Sequence, residues 1–328
     1  MDWLLACLGL VILLLAGDSL VRGAVNLALR VGIPALIVSL TIVAFGTSAP
    51  ELLIAIRAVF DNAPGIAMGN VVGSNTANVL LVLGFPALLA AMHTSECDTR
   101  KNYTYMLGGT LLFVALAFRG VFDFWAGIIL LAALAAILTD SFLHARNHRR
   151  DAKASKAAAA ELEAELEAEL EDLEGADPEL PWWKIIVFLA LGLIGLPLGA
   201  DLLVDASVNI ARTFHISEPV IGLTLVALGT SLPELATTTM AALRRQADVA
   251  LGTVIGSHMF NLLAIIGVTS LLGPIPVAPQ FLQFDLWVML GASLILVPFV
   301  FFKRDITRTW GIALTALYLV YIAIVVMA

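Results

Sequence analysis

Ten apolar runs punctuate this chain, at 4–23, 33–56, 67–92, 103–118, 122–143, 183–207, 216–243, 249–272, 284–302 and 310–327. Many approach the roughly 20 residues that an α-helix needs to cross a bilayer. In hydrocarbon each backbone N–H and C=O must be satisfied by the protein itself, which leaves helices or a closed barrel. Runs of this length and evenness favour helices. Composition agrees: 60% of the residues are hydrophobic and 13% charged, against about 25% charged in soluble domains. The expected fold is an all-α membrane protein with ten transmembrane helices.

The chain opens Met1-Asp2, and its first arginine, Arg22, follows the first run. That run therefore reads as a span rather than a secretory signal, and basic residues behind it favour an outside N-terminus. In this orientation about 15 of the 18 basic residues lie inside, leaving Arg57, Arg119 and Arg212 outside. Both termini are expected outside a bacterial inner membrane. Much of the net charge of −8 sits in one segment, from Glu161 to Glu174. There Leu162, Leu166, Leu170 and Leu173 recur at helical spacing among glutamates. Such an array spreads its carboxylates, whereas a Ca²⁺ loop turns tightly to converge them, so 145–181 reads as a solvated cytoplasmic linker. Cys7 and Cys97 are too few for a disulfide framework. Nothing points to nucleic acid or to a protein partner; the bilayer is the expected surrounding.

The two sides of the linker repeat each other. Shifting by 183 positions matches about 26 of 67 residues between Asp18 and Gly84 without a gap. The matches are polar as well as apolar: Asp18 with Asp201, Asn26 with Asn209, and Thr41 with Thr224. Gly46-Thr47-Ser48-Ala49-Pro50-Glu51 recurs as Gly229-Thr230-Ser231-Leu232-Pro233-Glu234. Gly73, Ser74 and Asn78 recur as Gly256, Ser257 and Asn261. Five spans per half is an odd number, so the second half must enter the membrane from the other side. The expectation is two inverted five-helix repeats, 1–144 and 182–328, with broken helices meeting at the midplane.

A carboxylate deep in a bilayer costs roughly 2.5–3.5 kcal/mol on insertion scales and is a functional feature by default. Thr47, Ser48 and Glu51 stand at i, i+1 and i+4, within about one helical turn of 5.4 Å. Pro50 has no N–H, so the Gly46 carbonyl loses its helical partner; Pro233 does the same to Gly229. Freed carbonyls are tolerated at membrane depth where they line a cavity. The donors are thus all oxygens, from two carboxylates, hydroxyls, amides and carbonyls. That inventory suits a hard cation such as Ca²⁺ or Na⁺ and disfavours soft metals. Gly69 and Gly73, like Gly252 and Gly256, are spaced as packing devices rather than ligands. His258 replaces the Asn75 of the first repeat and reads as a hydrogen-bonding substitute for it.

The doubled Gly-Thr-Ser-x-Pro-Glu, each followed by Gly-x-x-x-Gly-Ser-x-x-x-Asn, resembles the paired repeats of the cation/Ca²⁺ antiporter superfamily, most closely the microbial Na⁺/Ca²⁺ exchanger branch. The resemblance covers nearly the whole chain. It implies Glu51 and Glu234 as central ligands shared by Ca²⁺ and Na⁺. It implies one Na⁺ site from Thr47, Ser48, Ser74 and the Ala44 carbonyl, and another from Thr230, Ser231, Ser257 and the Ala227 carbonyl. The Thr47 and Thr230 carbonyls would assist Ca²⁺, with Asn78 and Asn261 flanking the centre. The implied activity is Ca²⁺ extrusion against inward Na⁺ by alternating access, without a cofactor. Three Na⁺ for one Ca²⁺ would move one net charge per cycle. Asn261 departs from relatives that carry aspartate there, and His258 from the usual asparagine. A H⁺/Ca²⁺ antiporter, with the glutamates carrying protons, is the alternative transporter. An intramembrane metal-dependent enzyme is a weaker one, since no His-Glu-x-x-His or nucleophile–base pattern occurs.

Overall fold

The computed structural model describes residues 1–30, 48–94, 99–153, 177, 180–243 and 247–327. Eleven helices are distinguished among them. They are α1 (Asp2–Arg30), α2 (Ala49–Phe60), α3 (Pro64–Leu89), α4 (Arg100–Ala117) and α5 (Phe124–Lys153). After the linker come α6 (Trp182–Phe214), α7 (Glu218–Thr230), α8 (Leu232–Leu243), α9 (247–272), α10 (Phe281–Phe301) and α11 (Arg308–Met327). Seven helices are long and apolar enough to cross a membrane, and the bent pair α7–α8 forms an eighth candidate span. Of the ten expected spans, 33–56 lies partly outside the described residues, and 103–118 coincides with α4. Several helices overrun their apolar runs: α1 continues to Arg30 and α5 to Lys153. Helical hydrogen bonding does not stop where hydrophobicity does. Most of the linker, including its acidic array, is outside the described residues.

Burial sorts the helices by position. The apolar windows of α3 and α9 are 83% and 72% buried, whereas those of α1, α5, α6 and α11 are 22–28% buried. The first two form the centre, and the others carry lipid-facing side chains such as Leu15, Ile186, Leu193 and Ile194. With lipid as apolar as leucine, close helix contact depends on small residues that let backbones approach. That is how α1 meets α6. A Cβ on Gly9 would lie 2.7 Å from the Leu203 nitrogen, and one on Gly192 would lie 2.6 Å from the Leu20 Cβ. Gly9 and Gly192, like Leu20 and Leu203, are 183 positions apart, so the two contacts are one contact made twice.

The outer helices repeat the pattern with a different offset. A Cβ on Gly311 of α11 would meet the Gly84 carbonyl oxygen at 2.9 Å, and one on Gly127 of α5 would meet that of Gly267 at 2.7 Å. Gly84 and Gly267 differ by 183, but Gly127 and Gly311 differ by 184. One extra residue in the second half hides this pair from an ungapped comparison. A short antiparallel ladder, β1 (Val121–Phe122) on β2 (Ile275–Pro276), ties the turn before α5 to the turn before α10. At another edge, Arg57 near the end of α2 reaches Asp61 at 2.8 Å and Asp201 of α6 at 3.1 Å, with Asp205 at 3.8 Å. Asp201, within α6, is thus an ion-pair partner of Arg57.

Candidate functional site

Both proline-glutamate segments build the same local break. Ser231 stands between α7 and α8, which bend by 44°, and its backbone has φ −82° and ψ 2°. Ser48, just before α2, has φ −89° and ψ 5°. Each serine carbonyl accepts from the residue four ahead, Leu52 at 3.1 Å and Leu235 at 3.0 Å, so the new helix starts at the serine and carries the glutamate in its first turn. The proline one residue before the glutamate costs no hydrogen bond there, because the opening N–H groups of a helix are unpaired anyway. The kink therefore falls two residues ahead of the proline.

The facing helices are also irregular at matching places. A π-helical turn covers Asn78–Val82 in α3 and another covers Phe260–Ile265 in α9. Each contains the motif asparagine, Asn78 or Asn261. Such turns are rare and are often found at functional sites. The first packs against α8 and the second against α2, so each half offers its asparagine turn to the glutamate helix of the other. Asn261 Nδ2 donates to Asn75 Oδ1 across this junction at 3.2 Å.

All described ligand candidates are buried. Glu51, Glu234, Ser74, Ser257, Thr230, Asn78 and Asn261 are no more than 1% exposed, with Ser48 at 3% and Ser231 at 2%. Ala227 is equally enclosed. Thr47 and Ala44 lie outside the described residues. The Glu51 carboxyl is within electrostatic reach of Glu234 and within hydrogen-bonding reach of the Thr230 hydroxyl. Ser257 Oγ lies 3.5 Å from Glu234 Oε1. Glu51 Oε2, Ser48 Oγ, Ser231 Oγ, Asn78 Oδ1 and Asn261 Oδ1 make no hydrogen bond among the described residues. Buried oxygens of this kind normally find a partner, and these five, one of them a Glu51 carboxylate oxygen, form a donor set for a hard cation. Arg57, on the glutamate's own helix, is engaged with the aspartates and does not neutralise Glu51.

Ser74 lies against the other half: its hydroxyl is 3.5 Å from the Ala227 carbonyl oxygen and 3.4 Å from Thr230 Oγ1. The cause is the close approach of α3 to α7. A Cβ on Gly69 would lie 2.6 Å from the Pro219 oxygen, and one on Gly73 would lie 2.7 Å from the Ala227 Cβ. The glycines expected to serve packing thus bring a hydroxyl of one repeat onto a carbonyl of the other.

Two partners were not legible beforehand. Asn70, fully buried one turn before Ser74, accepts from Thr230 Oγ1 at 3.2 Å and from Ser74 Oγ at 3.4 Å. Its repeat counterpart is Thr253, so the duplication gave it no emphasis; the signal was a polar side chain at i−4 from Ser74. His258 Nε2 lies 3.1 Å from Thr110 Oγ1 and 3.4 Å from Ser293 Oγ. Both hydroxyls already donate to their own helices, at Met106 and Met289, so the imidazole must donate from Nε2. Thr110 and Ser293 are again 183 positions apart.

Buried paired carboxylates among neutral oxygens, on broken helices inside an apolar bundle, are the equipment of a membrane transporter for hard cations. Comparison with known proteins agrees. The family profile described as sodium/calcium exchanger protein matches residues 1–143 and 184–327. The sodium/calcium exchanger MaX1 of Methanosarcina acetivorans is 37% identical over 98% of both chains. The putative antiporter CaxA of Alkalimonas amylolytica is 34% identical over 88% of this chain and 86% of its own. A solved structure of the sodium-calcium exchanger NCX_Mj, soaked with Na⁺ and Ca²⁺, superposes with a TM-score of 0.63 at 30% identity, over 98% of this chain and 97% of that one. The chain belongs to the sodium/calcium exchanger family, and it is a transporter rather than an enzyme.

Proposed function

We propose that this protein extrudes Ca²⁺ in exchange for inward Na⁺ by alternating access. Its ten transmembrane helices form two inverted repeats, 1–144 and 182–328, joined by the cytoplasmic linker 145–181, with both termini outside. Contacts repeated at offsets of 183 and 184 support that architecture. Glu51 and Glu234 share the central cation, with Ser48, Ser231, Asn78, Asn261 and the Thr47 and Thr230 carbonyls around it. Na⁺ is held where hydroxyls and carbonyls dominate: Ser74, Thr230 and the Ala227 carbonyl on one side, Thr47, Ser257 and the Ala44 carbonyl on the other.

The observation that carries the reading is the pair of buried glutamates, each 1% exposed and within electrostatic reach of each other. Two carboxylates balance one divalent ion, and neutral oxygens complete its coordination. The relatives named as sodium/calcium exchangers point to the same ions. The decisive measurement is Ca²⁺ uptake into proteoliposomes with and without an outward Na⁺ gradient. Uptake that follows Na⁺ at constant pH is expected. Uptake that follows a pH gradient and ignores Na⁺ would replace Na⁺ by H⁺ as the coupling ion.

A further inference from the structure

We propose that Asn70 is a positioning residue for Na⁺, acting through the hydroxyls of Ser74 and Thr230; this rests on the reading that those hydroxyls and the Ala227 carbonyl hold Na⁺. A hydroxyl that ligates a cation presents a lone pair to it and must send its proton elsewhere. Ser74 has three such acceptors in reach, Asn70 Oδ1 at 3.4 Å, Thr230 Oγ1 at 3.4 Å and the Ala227 oxygen at 3.5 Å. Thr230 has Asn70 Oδ1 at 3.2 Å, Val226 O at 3.2 Å and Ala227 O at 3.4 Å, beside the Glu51 carboxyl and Ser74 Oγ. Once the Ala227 carbonyl and Thr230 Oγ1 both face an ion, Asn70 Oδ1 is the acceptor left to Ser74 and one that both hydroxyls share.

The amide is fixed for this role. Its Nδ2 donates to the Glu51 carbonyl at 3.5 Å, and the opposite orientation would set oxygen against oxygen there. Asn70 therefore links the backbone of one glutamate helix to hydroxyls from both repeats. Thr253 in the other half has no amide, so the two Na⁺ subsites are chemically unequal. Ca²⁺, held by the carboxylates, should depend on Asn70 much less.

The test is Na⁺-driven Ca²⁺ uptake in proteoliposomes, with half-saturating Na⁺ and Ca²⁺ measured separately. Asn70→Leu keeps the volume and removes the acceptor. A hydrogen bond is worth about 0.5–1.5 kcal/mol, so half-saturating Na⁺ should rise about tenfold and Ca²⁺ less than about threefold. A cycle with Ser74→Ala then separates positioning from general support. If Asn70 acts through Ser74, the double variant should be little worse than the worse single one. Equal shifts for both ions, or effects that add in the cycle, would overturn the proposal. Should Asn70→Leu fail to fold, Asn70→Thr, which copies the second repeat, goes through the same cycle and is judged by the same outcomes. Wild-type protein without Na⁺-driven uptake would instead refute the exchange reading itself.

Discussion

The proposed chemistry turns on Glu51 and Glu234. Each is 1% exposed, and in the proposed exchange they together supply the charge opposing a divalent ion. Changing either to glutamine keeps the shape but leaves one charge of the ion uncompensated in a desolvated site, which costs about 2–5 kcal/mol. Glu51→Gln and Glu234→Gln should each lower Ca²⁺ flux by about two orders of magnitude; flux near wild type in either variant would remove that residue from the site. His258 makes a contrasting case. Its Nε2–H bridges Thr110 and Ser293, so the ring ties α9 to α4 and α10. His258→Asn restores the residue of the first repeat and shortens that bridge, at a cost of about 1 kcal/mol in stability. Na⁺-driven exchange should persist, and its pH profile between about 6 and 7.5, where an unperturbed histidine titrates, should not change. Loss of proton-driven Ca²⁺ flux in a folded variant would mark His258 as a proton carrier instead.

Glycine placement decides how the helices meet. A Cβ on Gly311 would lie 2.9 Å from both the Gly84 oxygen and the Leu88 nitrogen, backbone atoms that cannot turn aside. Gly311→Ala should therefore push α11 from α3 and cost about 1–3 kcal/mol, as overpacking does. Gly108 on α4 has no atom within 4 Å of the added Cβ. There alanine should be neutral or gain up to about 1 kcal/mol from helix propensity. Thermal unfolding in one detergent should separate the two; equal melting temperatures would show that the α3–α11 contact yields. The one-residue difference between the offsets of 183 and 184 is an element-scale fact as well. It is absorbed between the asparagine helices and the outer ones, so both halves retain the same glycine contact.

For the whole molecule, exchange of three Na⁺ for one Ca²⁺ would move one net charge per cycle, worth about 2.3 kcal/mol per 100 mV. A K⁺/valinomycin potential of 100 mV should then change the equilibrium Ca²⁺ ratio by roughly fiftyfold, in the direction that carries positive charge with Na⁺. A ratio indifferent to potential would require an electroneutral cycle. Within the fold, α3 and α9 are the buried centre, while α1 and α6 pack along each other through Gly9, Gly192 and Gly199. The site thus belongs to the centre, and the lipid-exposed pair crosses beside it, with Gly17 of α1 against Pro50.

Periodicity and length alone were enough to place most of the membrane helices, because a bilayer leaves a long apolar run few alternatives. The doubled motif also singled out Glu51, Glu234, Ser74 and Ser257, and all four are buried in the bundle. Sequence could not say that Ser74 would face Ala227 and Thr230, that Asn70 would hold both hydroxyls, or that His258 would bridge Thr110 and Ser293. Nor did it mark the π-helical turns at Asn78 and Asn261, or the ion pair from Arg57 to Asp201. Apart from the π-helical turns, which are local, these features join residues distant in the chain and depend on how far one helix can sink into another. That depth is set by the glycines at the crossings, whose effect exists only once both helices are in place.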